Sequence, residues 1–130
     1  MLGVIILKLS NERLVNSVGV LSKLTNLELP IKLSYAFSKN ITKIDAELKA
    51  YNMEREKLLN KYGEKDEEGK LKLSEKGEVN ILDRENFNKE IAELLQCESE
   101  IDIHLIDLES IDTDIKITPG ELMIIDYMFK

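Results

Sequence analysis

Residues 31–62 read IKLSYAFSKNITKIDAELKAYNMEREKLLNKY, with Pro30 before them and Gly63 after them. Apolar or large side chains fall at Phe37, Ile41, Ile44, Leu48, Tyr51, Leu58 and Tyr62. They advance in alternating steps of four and three, and Arg55 fills the one gap. That spacing is a heptad seam, the pattern of a long helix laid against other helical surface. No other stretch of the chain is as long or as regular, so the rest is read as arranged around this helix.

Upstream, Val4 to Leu9 is a β-rich run. The leading MLGVIILKLS lacks a basic leader and its apolar run is short for a signal peptide, so it reads as a strand. Ser10 is placed to cap a helix running to about Asn26, with Leu14, Val18, Leu21 and Leu24 on one face. Gly19 inside it suggests close approach of the next helix. Leu27 to Leu29 lead into Pro30, which suits a helix start, so the two helices fold back as a hairpin.

Downstream, Gly63 is expected to end the long helix in the left-handed conformation. GEKDEEGK then reads as a surface loop. Lys70–Leu73 and Glu78–Leu82 alternate around Glu75-Lys76-Gly77 as a β-hairpin. Asp83 caps a helix to Gln96 with Phe87, Ile91, Leu94 and Leu95 on its apolar face. Ile101, Ile103 and Leu105 alternate in an acidic strand whose phase slips near Leu105. A short strand follows at Asp114–Ile117. Thr118-Pro119-Gly120-Glu121 is a capping box with proline at the first helical position, opening a last helix with Leu122, Ile125, Met128 and Phe129 inward. The fold class is therefore α+β: a helical hairpin with a long second arm, a small mostly antiparallel sheet and two shorter helices. The length fits one domain over 1–130, with the long helix at 31–62, a loop and hairpin turn region at 63–77, an acidic strand region at 100–117 and a terminal helix at 118–130. No internal repeat is expected.

Composition narrows the function classes. The chain carries a net charge of −7. Residues 1–62 hold ten Lys/Arg against six Asp/Glu, and residues 63–130 hold eight against nineteen. An acidic chain is a poor general binder of nucleic acid. No apolar run approaches the roughly 20 residues that span a bilayer, so no membrane role is expected. The single cysteine, Cys97, forms no internal disulfide and fits a reducing compartment, the cytoplasm.

The chain shows no catalytic signature. His104 is the only histidine and lies among Asp102, Asp107, Asp112 and Asp114, but no second imidazole or calcium-loop spacing supports a metal site. Cys97 reads as a buried or half-buried helix-end thiol rather than a nucleophile. The glycines follow no phosphate-loop pattern. Neither a cofactor nor a metal is implied, and an enzyme would have to use His104 or Cys97. The candidate ligand contacts are cationic. Lys32, Lys39 and Lys43 line one flank of the long helix and could hold the phosphates of a nucleotide; a solubilising flank is the plain alternative. Arg55 either pairs with a carboxylate of a partner helix, fixing register, or marks the end of the seam. From Glu90 to Ile115 there are nine acids and no Lys or Arg, which leaves a DNA-mimicking regulator as a further class.

The opening strand with Ser-Asn-Glu, the Leu-Pro-Ile-Lys junction at Leu29–Lys32, the Lys-Tyr-Gly-Glu-Lys-Asp run at Lys61–Asp66 and the leucine-rich terminal helix together resemble a family of small proteins of unknown function encoded by phages and prophages of Gram-positive bacteria. The abundance of Lys, Ile, Asn and Glu suits an AT-rich host. The resemblance implies a phage context and lends no residue a role. With it, the expected function is a non-enzymatic anti-defence protein of the host cytoplasm, a homo-oligomer built on spare seam surface. It would sequester a host immune protein or a small nucleotide signal. The alternative is an accessory of virion assembly acting through the long helix.

Overall fold

A computed structural model describes residues 3–107, 109 and 116–130. In chain order the elements are β1 (Val4–Ser10), α1 (Asn11–Thr25), α2 (Ile31–Tyr62), α3 (Arg84–Gln96), β2 (Glu98–His104), α4 (Pro119–Ile124) and a 3₁₀ turn at Asp126–Met128. The architecture is α+β, with one two-stranded antiparallel sheet, β1-β2. The chain packs as two compact units, Met1–Leu48 with Glu98–Lys130, and Lys49–Cys97. The boundary falls inside α2.

In the first unit, β1 and β2 pair with Val4 opposite His104 and Ser10 opposite Glu98. Alternation along the strands turns Leu9, Ile101 and Ile103 into the core. Ser10 caps α1 by accepting from the Arg13 N–H at 3.2 Å. The buried face of α1 is Leu14, Ser17, Val20, Leu21 and Leu24, rotated from the expected one so that Val20 replaces Val18. Gly19 lies on the exposed side with open space around it, so no close helix approach explains it. Phe37, Ile44 and Leu48 of the seam are buried within the unit. The spare seam surface invoked for self-association is therefore covered here by the chain itself.

One buried polar residue organises this unit. Asn40 is fully buried. Its amide donates from Nδ2 to the His104 carbonyl at 3.0 Å, and its Oδ1 accepts from the His104 N–H at 2.7 Å. The side chain thus pairs with β2 as a neighbouring strand residue would, satisfying groups that would be costly to bury unpaired. The carboxyl-terminal segment does not continue as one helix to 130. α4 ends at Ile124, because the chain leaves it to form a parallel bridge at Ile106 and Phe129. The Ile106 N–H donates to the Met128 carbonyl at 2.8 Å, and the Lys130 N–H donates to the Ile106 carbonyl at 2.9 Å. The expected strand at Asp114–Ile117 lies at Asp114 and Ile115 outside the described residues; Lys116 and Ile117 are irregular.

The second unit is built from the distal part of α2, three short bridged segments and α3. Gly63 bridges Ile81, Lys65 bridges Leu71, and Leu73 bridges Val79. Two hairpin turns join them, with the same design eight residues apart. The Gly69 N–H donates to the Asp66 carbonyl at 3.0 Å, and the Gly77 N–H to the Ser74 carbonyl at 2.9 Å. Asp66 Oδ1 accepts from the N–H groups of Glu68 and Lys70, as Ser74 Oγ does from those of Lys76 and Glu78. Gly69 and Gly77 have φ of 82° and 76°, the left-handed conformation each turn requires. The sequence therefore does carry a repeat, Asp66–Leu73 against Ser74–Ile81. Gly63 is not left-handed. Its role is proximity: a Cβ there would sit 2.5 Å from the Leu59 carbonyl oxygen, 2.6 Å from a Leu71 methyl and 2.7 Å from a Val79 methyl. Asp83 caps α3, accepting from the Asn86 N–H at 3.2 Å.

Candidate functional site

The repeated hairpins and α3 enclose an open cleft of about 760 Å³ in the second unit. Its apolar lining is Leu59 from α2, Leu71, Leu73, Val79 and Ile81 from the bridged segments, and Phe87 from α3. The eight-residue repeat explains why these four hairpin side chains share one wall. Positions 71 and 79, and positions 73 and 81, are equivalent in the two turns. Phe87 is held edge-on against Tyr62, with ring centroids 6.1 Å apart. Tyr62 lies beside Lys61 and Glu90. The Tyr62 hydroxyl, and then the Lys61 ammonium, hold the Glu90 carboxyl below its ordinary value. Tyr62 and Glu90 in turn raise the Lys61 ammonium. This cluster fixes α3 to the end of α2, and so fixes the Phe87 wall of the cleft.

The polar side chains of the cleft are Arg55, Arg84, Glu56, Glu78 and Asn60. The chain has three arginines, at positions 13, 55 and 84. Arg13 is ion-paired with Asp126 and lies 4.9 Å above the Tyr127 ring. Arg55 and Arg84 have no ion-pair partner among the described residues, and both line this cleft. A guanidinium presents a planar fork of donors suited to carboxylate or phosphate oxygens. Two such forks beside an apolar wall and an aromatic ring can hold an anion carrying an apolar or aromatic body. The carboxylates of Glu56 and Glu78 can accept from hydroxyls or amines of the same ligand.

The sequence-derived candidates do not form one site. Lys39 and Lys43 line a shallow groove of about 390 Å³ in the first unit, with Tyr35, Ser38 and Thr42. Lys39 Nζ lies 5.4 Å from the centroid of the Tyr35 ring. Lys32 is exposed and does not line that groove, and Arg55 belongs to the other cleft. Arg55 is exposed, while the seam residues beyond it, Leu58 and Tyr62, stay half-buried. Sequence reasoning misses Arg84, and it places Phe87 only on the apolar face of its helix. The signal that could have found them is the repeat, which gathers Leu71, Leu73, Val79 and Ile81 into a wall and so marks what flanks it.

His104 is half-buried, its ring edge-on to Tyr35 at 6.4 Å and its backbone held by Asn40. Asp112 and Asp114 lie outside the described residues. Among the described residues, no three His, Cys, Asp or Glu side chains gather as metal ligands. Cys97 ends α3 as expected, but it is exposed rather than buried. Its Sγ donates to the Glu93 carbonyl at 3.5 Å. A last polar chain lies in the first unit: Tyr127 donates to Ser17 Oγ at 2.6 Å, and Ser17 donates to the Arg13 carbonyl at 2.8 Å. Burial pushes the Tyr127 hydroxyl up. These contacts serve packing, since they close on one another and line neither cleft. Among the described residues no helix is long and apolar enough to cross a membrane. Compared with protein-family models, curated proteins and solved structures, the chain matches none.

Proposed function

We propose that the protein is a non-enzymatic binding protein whose ligand is an anion with an apolar or aromatic body, a nucleotide being the leading chemistry. The observation that carries this reading is the placement of Arg55 and Arg84. They are the two arginines without an ion-pair partner among the described residues, and both open onto one apolar cleft. In this reading the guanidinium forks hold phosphate, Phe87 meets the base, and Glu56 or Glu78 accepts from ribose hydroxyls or a base amine. The biological setting, a phage protein that sequesters a host immune nucleotide in the host cytoplasm, rests on the family resemblance. Sequestration of a host immune protein is the variant in which the same cleft takes an acidic side chain.

The test is titration of the full chain with a panel of mono-, di- and cyclic nucleotides, followed by isothermal calorimetry. The double variant Arg55→Ala/Arg84→Ala should lose at least about tenfold in affinity, the effect of losing about 1.4 kcal/mol of binding. Both side chains are exposed, so the fold should survive. Full affinity in that variant, with loss in Lys32→Ala/Lys39→Ala/Lys43→Ala, would move the site to the groove beside Tyr35. Native mass spectrometry after re-isolation from an extract of a defence-active host finds the ligand itself as added mass. A bare chain, or one joined to a whole protein, would sink the nucleotide reading. A second reading, a virion-assembly accessory acting through the long helix, is favoured by the half-exposed apolar side chains at Leu58 and Leu59 of α2. It predicts a stable complex with another phage protein and no small ligand.

A further inference from the structure

The phase of the two-stranded sheet decides which groups of β1 are spare. The Leu105 N–H donates to the Gly3 carbonyl at 3.2 Å, and the register runs Ile5 to Ile103 and Leu7 to Ile101. In an antiparallel ladder the hydrogen-bonded pairs alternate, so Ile5, Leu7 and Leu9 bond to β2. Val4, Ile6 and Lys8 therefore turn their N–H and C=O groups away from it. On β2 the equivalent outward groups belong to His104, Asp102 and Glu100. The Asn40 amide takes those of His104, and the charged side chains of Asp102 and Glu100 guard the rest of that edge. Among the described residues nothing takes those of β1. Of the usual protections of a sheet edge the strand has only a charged side chain, Lys8, near one end. It contains no proline and its register with β2 carries no bulge. Val4 and Ile6 are 53% and 66% exposed on the outer face of the sheet, and Ile5 is 39% exposed on the core side.

We propose that β1 is the dimerisation edge of the protein, occupied by β1 of a second copy running antiparallel about a two-fold axis at Ile6. The sequence of the strand is complementary to itself in that register. Ile6 meets Ile6, Ile5 meets Leu7, and Val4 meets Lys8, so the single charge of the strand does not face its own image. A parallel register would set Lys8 against Lys8, which is destabilising. Leu7 and Ile5 of the second copy would cover Ile5 and Leu7 where the core side of the sheet is still open. Addition stops at two, because the symmetric contact uses the same patch on both copies, and the far edge of β2 is closed at His104 by Asn40 and carries the acidic Asp102 and Glu100 further along. The product is a four-stranded sheet in the order β2-β1-β1-β2. This inference is independent of the nucleotide reading, since β1 lines neither the cleft nor the groove.

Sedimentation equilibrium of the full chain in the micromolar range is the test. The wild type should weigh twice the 14.9 kDa monomer. Ile6→Lys puts two like charges in direct opposition and should weaken the dimer by at least about tenfold. Ile6 is largely exposed, so circular dichroism of this variant should match the wild type. In a Cys97→Ser background, Ile6→Cys should oxidise to a disulfide-linked dimer. Hydrogen-bonded antiparallel partners have Cα atoms about 5.5 Å apart, within disulfide reach. A monomeric wild type would overturn the proposal and leave the edge to a strand of another protein. A dimer that survives Ile6→Lys, or an Ile6→Cys variant that does not cross-link, would place the interface elsewhere and overturn it equally.

Discussion

In the first unit, Leu14, Leu21, Leu24, Ile44 and Ile103 are sealed from water by a sheet, α1, the proximal part of α2 and the carboxyl-terminal segment. In the second unit, Leu59, Leu71, Val79, Ile81 and Phe87 each keep part of their surface exposed, and Tyr51 is its only buried apolar side chain. The difference follows from size and material. A unit spanning Lys49–Cys97 is below the range in which a single core readily closes. It has one long helix, one short helix and three bridged segments to enclose its apolar residues. It holds its shape with two glycine turns, a glycine contact and a ring-and-charge cluster. Apolar surface that cannot be enclosed is available to a ligand, and here it lies beside the two arginines that have no ion-pair partner among the described residues. The tight unit is the scaffold, and the loose one carries the candidate site.

The sharpest way to break that comparison is a matched pair of core truncations. Leu21→Ala in the first unit should cost about 3–4 kcal/mol, because a fully buried leucine leaves a cavity as well as lost burial. Leu71→Ala in the second should cost less, about 2 kcal/mol, since its side chain already keeps part of its surface in water. Urea unfolding followed by circular dichroism gives both numbers. Equal costs would mean that the second unit is as well closed as the first.

A second pair probes the anchors. Asn40→Leu keeps the volume but leaves the His104 N–H and carbonyl without their partner, and should cost about 3 kcal/mol for two buried polar groups. Gly63→Ala forces a methyl against the Leu59 carbonyl oxygen and two side chains, and should cost about 2 kcal/mol by overpacking. Hydrogen exchange separates the two by location. Asn40→Leu should lose protection along β2, and Gly63→Ala should lose it over residues 63–81 while α1 keeps its own. Loss across the whole chain from Gly63→Ala would show the two units unfolding as one.

Much of the first unit was legible in the sequence because its signals are local. The heptad seam set α2 at Ile31–Tyr62, Ser10 and Thr118 set their caps, and the phase slip near Leu105 marked the end of β2 at His104. What failed was what depends on a distant partner. Asn40 sits between Lys39 and Lys43 with no local signal to single it out, and only the approach of β2 shows it to be the amide that takes the outward groups of His104. Gly63 looked like a helix-stop glycine, and only the packing of Leu71 and Val79 shows why no side chain fits. The end of the last helix was set by Ile106, which is far from it in sequence. The candidate site was half legible. Arg55 stood out because it interrupted the seam, whereas Arg84 needed the repeated turns, whose shared pattern is Gly69 and Gly77 with Leu71, Leu73, Val79 and Ile81 at the same offsets.

The smallest expected effect is the response of the two units to acid. Glu121 in the first unit is held below its ordinary value first by the Thr118 backbone N–H of the capping box, then by Lys23 at 2.9 Å. Glu90 in the second is held below its ordinary value first by the Tyr62 hydroxyl, then by Lys61. For both, the unfolded chain binds a proton more readily than the folded one. Their stabilisation is complete above the ordinary glutamate value of about 4.3 and is lost as the pH falls through the lowered folded values. Both carboxyls keep contact with solvent, the Glu121 and Glu90 side chains being 20% and 36% exposed, so the effects are modest and the ion-pair part weakens in salt. Stepwise acidification with hydrogen exchange read separately over 119–125 and 84–96 should show both segments losing protection in that window. Glu121→Gln keeps the cap acceptor and removes the titration, so it should flatten the acid response over 119–125 alone. Glu90→Gln should do the same over 84–96, and there the effect should reach the cleft, because Tyr62 also positions Phe87. An acid response over 84–96 that is unchanged in Glu90→Gln would remove the cluster as the device that holds α3 in place. The loose unit would then have to owe its shape to the glycine turns and the Gly63 contact alone.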